Sequence, residues 1–198
     1  MEDAAAEIMF WNGASYDHFY YINEAYDVTT DQPIDGDFWV DDAGYTLTDD
    51  ALHAIGDGFW MKIPANLADV GASFTLAGAV NTASELQIDL VGSDAGALNL
   101  VSNPFPTATD LANVTTTGLV AAAYDGMEDL ANEIMFWNGA SYDHFYYINE
   151  AYDIKTDQPI DGDFWVDDAG YTLAAPVASV GSAFWAKIFQ NGSLTFAK

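Results

Sequence analysis

Apolar and polar residues alternate along most of this chain, and the alternation breaks it into short strands. Residues 7–11 (EIMFW) form an apolar run that ends at Asn12-Gly13. Asn-Gly favours a type I′ hairpin turn, because both central residues of that turn need positive φ. Residues 16–23 (YDHFYYIN) then supply a return strand rich in aromatic and β-branched side chains. Alternation sets Tyr16, His18, Tyr20 and Ile22 on one face and Asp17, Phe19, Tyr21 and Asn23 on the other. A polar stretch containing Pro33 follows at 27–36 and reads as a loop. Residues 37–40 and 45–47 read as a third strand bent at Ala43-Gly44, 59–63 as a fourth and 74–80 as a fifth. Further along, 85–91 (ELQIDLV) and 97–101 (ALNLV) alternate clearly, and Pro104 and Pro106 stop the second of them. Residues 119–124 are expected to add a strand, with 115–117 as its polar approach. Helix is expected only as short turns near 107–113 and 128–132. Hairpins at this spacing, with Gly, Asn and Asp at the bends, indicate an all-β chain, an antiparallel β-sandwich or jelly-roll-like fold.

The pattern is written twice. Residues 133–173 repeat residues 7–47, except that Ile154 and Lys155 stand where the first copy has Val28 and Thr29. Both copies run on into related tails, GDGFWMKI at 56–63 and GSAFWAKI at 181–188, and then into FTLA at 74–77 and LTFA at 194–197. Near-identical copies of one hairpin-rich unit are the mark of a repeat architecture. Three segments follow: a first, incomplete copy at 1–80, a single-copy middle segment at 81–126, and a second copy at 127–198. The last two are expected to form one unit.

Charge narrows the setting. The chain carries 31 acidic residues against four lysines and no arginine, a formal net charge of −27. Nucleic acid and anionic lipid both require a basic footprint, so neither is an expected partner. A chain so charged also repels itself unless cations screen or bridge the carboxylates. An apolar fraction of 51% is ample for a packed core, so the chain does not read as disordered. There is no cysteine, which removes disulfides and thiolate metal sites. No run approaches the roughly 18 uninterrupted apolar residues of a membrane span, and membrane insertion is not expected. The opening MEDAAAEI lacks the basic start and apolar run of a signal peptide. It aligns instead with MEDLANEI at 127–134, so Met1 reads equally well as an internal methionine of a longer chain.

The middle segment carries a resemblance. ALNLVSNPFP at 97–106, followed by 107–111, resembles the NL(I/V)xNPFP signature of repetitive secreted bacterial proteins. In that family the segment precedes a WxG…YYY…GFWxK…LTFxG stretch, matched here by Trp137-Asn138-Gly139, Phe145-Tyr146-Tyr147, Ala183 to Lys187 and Leu194-Thr195-Phe196. The resemblance covers 81–198 and, without the proline motif, 7–80. It implies β architecture and an extracellular or cell-surface location, and it brings no catalytic residues. The first copy departs from the pattern because it has no NPFP segment of its own.

Candidate chemistry is sparse. Asp35-Gly36-Asp37 with Asp41, repeated as Asp161, Asp163 and Asp167, offers carboxylates around an expected turn, as calcium requires. The spacing is not that of an EF-hand, so a solvated acidic hairpin competes with a calcium site. The same aspartates at about 7 Å along one strand satisfy the spacing of a glycosidase acid–base pair. No apolar wall accompanies them to raise one pKa, so that reading is weak. His18, His53 and His144 have no nucleophile at a recognisable elbow, and they read as hydrogen-bonded structural histidines. The sequence contains neither a phosphate-binding glycine loop nor an HExxH motif. Aromatic runs such as Phe19-Tyr20-Tyr21 must place rings on both faces of a strand. One face makes the core; the other is expected to be buried against another sheet or subunit, with an exposed sugar-stacking platform as the alternative. Trp11, Tyr20, Trp39 and Trp60, mirrored by Trp137, Tyr146, Trp165 and Trp185, are the candidate ligand or assembly residues.

The expected function follows from the duplication. Unmatched β units leave edges, and edges pair with other chains unless blocked. The first expectation is a non-enzymatic extracellular structural protein, a self-associating subunit of a surface fibre, layer or adhesin stalk. It would bind itself and require no cofactor beyond calcium. A tandem carbohydrate-binding module, gaining avidity from duplication, is the alternative. An accessory domain of a secreted hydrolase is the third.

Overall fold

The computed structural model describes residues 5–27, 29–44, 55–64, 82–123, 130–153, 155–156, 158–168 and 176–198. The protein is all-β. Among the described residues there are strands, a 3-10 turn at Leu111–Asn113 capped by the Asp110 side chain, and a 3-10 residue at Leu130 within the turn expected near 128–132. Among the described residues every strand-to-strand ladder is antiparallel. The expected strand at 74–80, the limb at 45–47 and part of the turn near 128–132 fall outside the described residues.

The chain divides into two compact units: Met1–Ala54 with Phe59–Ala79, and Ile55–Gly58 with Val80–Lys198. In the first unit β1 (Ala6–Trp11), β2 (Tyr16–Asp27), β3 (Gln32–Asp41) and β4 (Phe59–Lys62) form one sheet in the order β3-β2-β1-β4. Direct cross-strand partners share a face, so the register assigns each side chain. Glu7, Met9, Trp11, Tyr16, His18, Tyr20, Val40, Trp60 and Lys62 share one face. Ile8, Phe10, Phe19, Tyr21, Trp39, Phe59 and Met61 share the other.

The second unit contains β5 (Glu85–Leu90), β6 (Ala97–Ser102), β7 (Thr109–Asp110), β8 (Thr115–Thr117), β9 (Glu133–Trp137) and β10 (Tyr142–Asp153). It continues with β11 (Gln158–Asp167), β12 (Val177–Ala178), β13 (Ala183–Ile188) and β14 (Gly192–Ala197). Its larger sheet runs β11-β10-β9-β13-β6, and a smaller one runs β5-β14-β8. Strands β9, β10, β11 and β13 correspond to β1, β2, β3 and β4, and β6 is an addition beside β13. The two sheets enclose a common core. Ile134, Tyr147, Trp165, Phe184 and Ile188 from the larger sheet meet Leu90, Leu194 and Phe196 from the smaller one, with Phe105 and Leu111 from the connection between them. The outer edge of β6 is lined by Ile55–Gly58. There Gly58 N–H donates to Leu100 O (3.1 Å) and Ser102 N–H donates to Gly56 O (2.7 Å).

Three local expectations are corrected. The Asn12 hairpin is not a two-residue type I′ turn: Trp11 pairs with Tyr16 around a four-residue loop, and Gly13 has φ +98 while Asn12 lacks positive φ. The Asn12 side chain organises that loop by accepting from the amides of Ala14 (3.1 Å) and Ser15 (2.9 Å), an Asx arrangement that competes with the tight turn. Next, the chain turns at residues 29–31 and is already in strand at Gln32, so 32–36 is not loop. Finally, strand structure falls at Thr115–Thr117 rather than 119–123, because Gly118 at φ +77 turns the chain directly after it, and residue 124 lies outside the described residues. Ala122 retains only an isolated bridge to Ile148.

Candidate functional site

The aspartate motif lies along a strand. Ile22 pairs with Phe38 and Glu24 with Asp35, so Gly36 and Asp37 together oppose the single residue Asn23. This is a β-bulge, built the same way at Gly162 in the second copy. Gly36 holds φ +146, and a Cβ there would meet the Phe38 ring at 2.9 Å, which explains why glycine occupies the position. The extra residue breaks simple alternation, so Asp35 and Asp37 do not present a regular same-side pair. Asp35, Asp37, Asp161 and Asp163 are exposed, and Asp41 and Asp167 are half-buried. Among the described residues no three carboxylate or imidazole groups gather as a metal site.

The aromatic residues separate into two sets. Trp39 pairs with Tyr21, rings 5.3 Å apart, and Trp165 pairs with Tyr147, rings 5.0 Å apart, on the faces that lead toward the core. On the opposite faces the rings form rows. Trp11 contacts Tyr16 (5.2 Å), Tyr16 contacts His18 (6.3 Å), and His18 stacks on Tyr20 (6.4 Å). The second copy repeats the ends of this row as Trp137 with Tyr142 (5.1 Å) and His144 with Tyr146 (6.5 Å). Trp60 lies half-buried on the row face of the first unit, and its counterpart Trp185 is buried. In the first unit, Tyr20, Tyr21, Tyr26, Asp37, Asp41 and Asp42 line part of an open concavity of about 690 Å³.

A carboxylate–imidazole pair underlies each row. Glu7 is buried, and its Oε1 lies 2.5 Å from His18 Nδ1 while Lys62 Nζ stands 3.4 Å from Oε2. Burial pushes the Glu7 carboxyl up, but the His18 hydrogen bond and the Lys62 charge outweigh it and hold the group below its usual range. Glu133 and His144 make the same contact in the second unit. The histidines are hydrogen-bonded, and their partners lie eleven residues earlier in the chain, beyond the reach of local pattern. The register that sets Met9 opposite His18, and so brings Glu7 within reach, was the missing signal.

The NPFP segment proves to be an anchoring device. Asn103 is buried and spends every polar atom: Nδ2 donates to Thr107 O (2.7 Å) and Ala178 O (2.8 Å). Its Oδ1 accepts from Phe105 N–H (3.1 Å) and from the Thr109 hydroxyl (3.4 Å). This ties the turn to β12 and drops Phe105 into the core. Asn132, at the position of Ala6 in the first copy, is a second anchor. It donates to Val120 O (3.0 Å) and accepts from Phe189 N–H (3.0 Å). The asparagine occurs in the copy that has a middle segment to hold.

The two copies differ in burial. Tyr147 is 7% exposed and Ile188 0%, while Tyr21 is 44% and Ile63 43% exposed. Phe184 and Ala186 are buried, whereas Phe59 and Met61 are only half-buried. The same sequence is a finished sandwich layer in one unit and a partly open one in the other. No family model, curated protein or solved structure matches this chain.

Proposed function

We propose that this chain is a non-enzymatic, self-associating β-repeat module of an extracellular or cell-surface assembly such as a fibre, layer or adhesin stalk. The observation that carries the reading is the half-exposed apolar face of the first unit, set against its near-identical, covered counterpart in the second. Burying an aromatic or aliphatic side chain stabilises by roughly 1.5–3 kcal/mol, so an assembly that covers this face gains from each ring it removes from water. The net charge of −27 opposes contact between copies. At the ~8 Å screening length of physiological salt, distant charges are damped but carboxylates facing each other at an interface are not. Calcium fits this module as a bridge between acidic surfaces, with Asp35, Asp37 and Asp41 and their counterparts Asp161, Asp163 and Asp167 as its contacts.

Sedimentation velocity and negative-stain microscopy, in calcium and in sodium at equal ionic strength, test the reading. Concentration-dependent polymers, longer in calcium and shortened by the paired Asp35→Asn and Asp161→Asn changes, are expected. A monomer at every concentration in both salts would refute self-association. A second reading, carbohydrate binding, is favoured by the ring rows and by the concavity in which tyrosines face aspartates. Rings pack on the C–H faces of sugars while carboxylates accept from their hydroxyls. Tryptophan fluorescence that responds to a neutral polysaccharide, in a chain that stays monomeric, would select it.

A further inference from the structure

Asn12 and Asn138, each followed by glycine, stand at the tips of the β1–β2 and β9–β10 hairpins, and the same cage of hydrogen bonds holds both. In the first unit Asn12 Oδ1 accepts from the amides of Ala14 (3.1 Å) and Ser15 (2.9 Å). Its Nδ2 donates to Ser15 Oγ (3.1 Å) and to Asp17 Oδ1 (2.8 Å). In the second unit Asn138 Oδ1 accepts from the amides of Ala140 (3.1 Å) and Ser141 (2.9 Å). Its Nδ2 donates to Ser141 Oγ (3.2 Å) and to Asp143 Oδ1 (2.7 Å). Asp17 and Asp143 are already in strand, opposite Phe10 and Phe136, so the ladders fix these acceptors in place. We propose that Asn12 and Asn138 are latent modification sites. In the folded chain the cage blocks their conversion to aspartate and isoaspartate, and opening of a hairpin tip releases it.

The reaction consumes only water. The Gly13 nitrogen gives its proton to water and attacks Asn12 Cγ, closing a cyclic imide. The Cγ–Nδ2 bond breaks, and ammonia leaves with a proton returned by water. A second water opens the imide at either carbonyl, giving aspartate or isoaspartate. The glycine does nothing to hinder attack: Gly13 and Gly139 are exposed, and no atom lies within 4 Å of where a Cβ would stand. Protection therefore lies with the side-chain amide. Closing the imide turns Oδ1 away from the two backbone amides, and loss of ammonia takes Nδ2 from Ser15 and Asp17, so all four bonds must break first. The product cannot rebuild the cage. A carboxylate at residue 12 has no proton to donate, and it faces Asp17 as a like charge where Nδ2 had been a donor. The change is one-way, and it falls beside Trp11 and Trp137, the first rings of the two rows.

The test incubates the whole chain at mildly alkaline pH, in buffer and in guanidinium chloride, and maps the products by mass spectrometry. Cleavage after Lys62, Lys155 and Lys187 puts Asn12 and Asn138 on different peptides, so each copy is read separately. The third Asn-Gly pair, Asn191-Gly192, falls on a further peptide; among the described residues its side chain has a single bond, from Gly92 N–H (2.8 Å). In guanidinium chloride residues 12 and 138 should convert at similar rates, because their flanking sequences are the same. In the folded chain both should convert about ten-fold more slowly or less, the rate equivalent of one hydrogen bond to a charged group. Asp17→Ala should speed conversion of Asn12 by about the same factor and leave Asn138 unchanged. Asp143→Ala should do the reverse. The intact copy in each variant is the control for loss of fold, since global unfolding would speed both sites. Equal rates in the folded and unfolded chain, or variants that speed neither site or both alike, would overturn the inference.

Discussion

Phe184→Ala is expected to destabilise the second unit by about 3–5 kcal/mol, the usual cost of emptying a large aromatic site in a core. Phe184 is 1% exposed, packs on Phe136 at 5.0 Å between ring centroids, and sits where the two sheets meet. The matching Phe59→Ala change in the first unit should cost less than half as much. Phe59 is half-buried and touches Phe10 at 5.5 Å, so truncation there exposes a shallow site to water rather than opening a closed cavity. Urea unfolding of the two variants against the parent measures the difference. The comparison holds local sequence nearly constant, so a gap in cost reports what covers each face. Equal costs would mean that the two faces are equally buried in solution.

Asn103→Leu should be nearly as damaging, at about 3 kcal/mol or more. Leucine matches the volume but strands the carbonyls of Thr107 and Ala178 and the amide of Phe105, and each buried unpaired group costs roughly 1–3 kcal/mol. Asn103→Asp offers no relief, because an ionised carboxylate cannot donate to two carbonyls. Thermal melts of both variants would show the loss. A melting temperature within a degree or two of the parent would mean that Asn103 is not the pin of the NPFP turn.

The strands were legible because their alternation is strong: β1, β2, β4, β5 and β6 lie within one to four residues of where periodicity sets them. The features that were not legible depend on partners distant in the chain. Nothing local distinguishes Gly36 as a bulge from Gly36 as a turn, since the bulge exists only relative to Asn23 on the neighbouring strand. The Asn12 loop was misjudged because its side chain bonds forward to Ala14 and Ser15, an option that the Asn-Gly rule ignores. Thr115–Thr117 looked too polar for a strand, yet β14 pairs with it and Thr116 reaches the Tyr147 hydroxyl at 2.8 Å. Trp165 and Trp185, candidate interface residues on sequence grounds, are both buried in the second unit. Their counterparts Trp39 and Trp60 keep an interface role available in the first. Duplication made the sequence easy to parse, but a repeat cannot reveal which of its copies is covered.

Residue-resolved hydrogen exchange at low protein concentration tests that difference most directly. Strand β13 is bonded to β9 on one side and β6 on the other, so all amides at 185–187 should be protected. Across 60–62, amides bonded to β1 should be protected, and the others should exchange faster than their counterparts at 185–187, as expected beneath half-exposed rather than buried side chains. Raising the concentration into the range where chains associate should slow the fast set. Equal, concentration-independent protection of both segments would contradict an unfinished first unit.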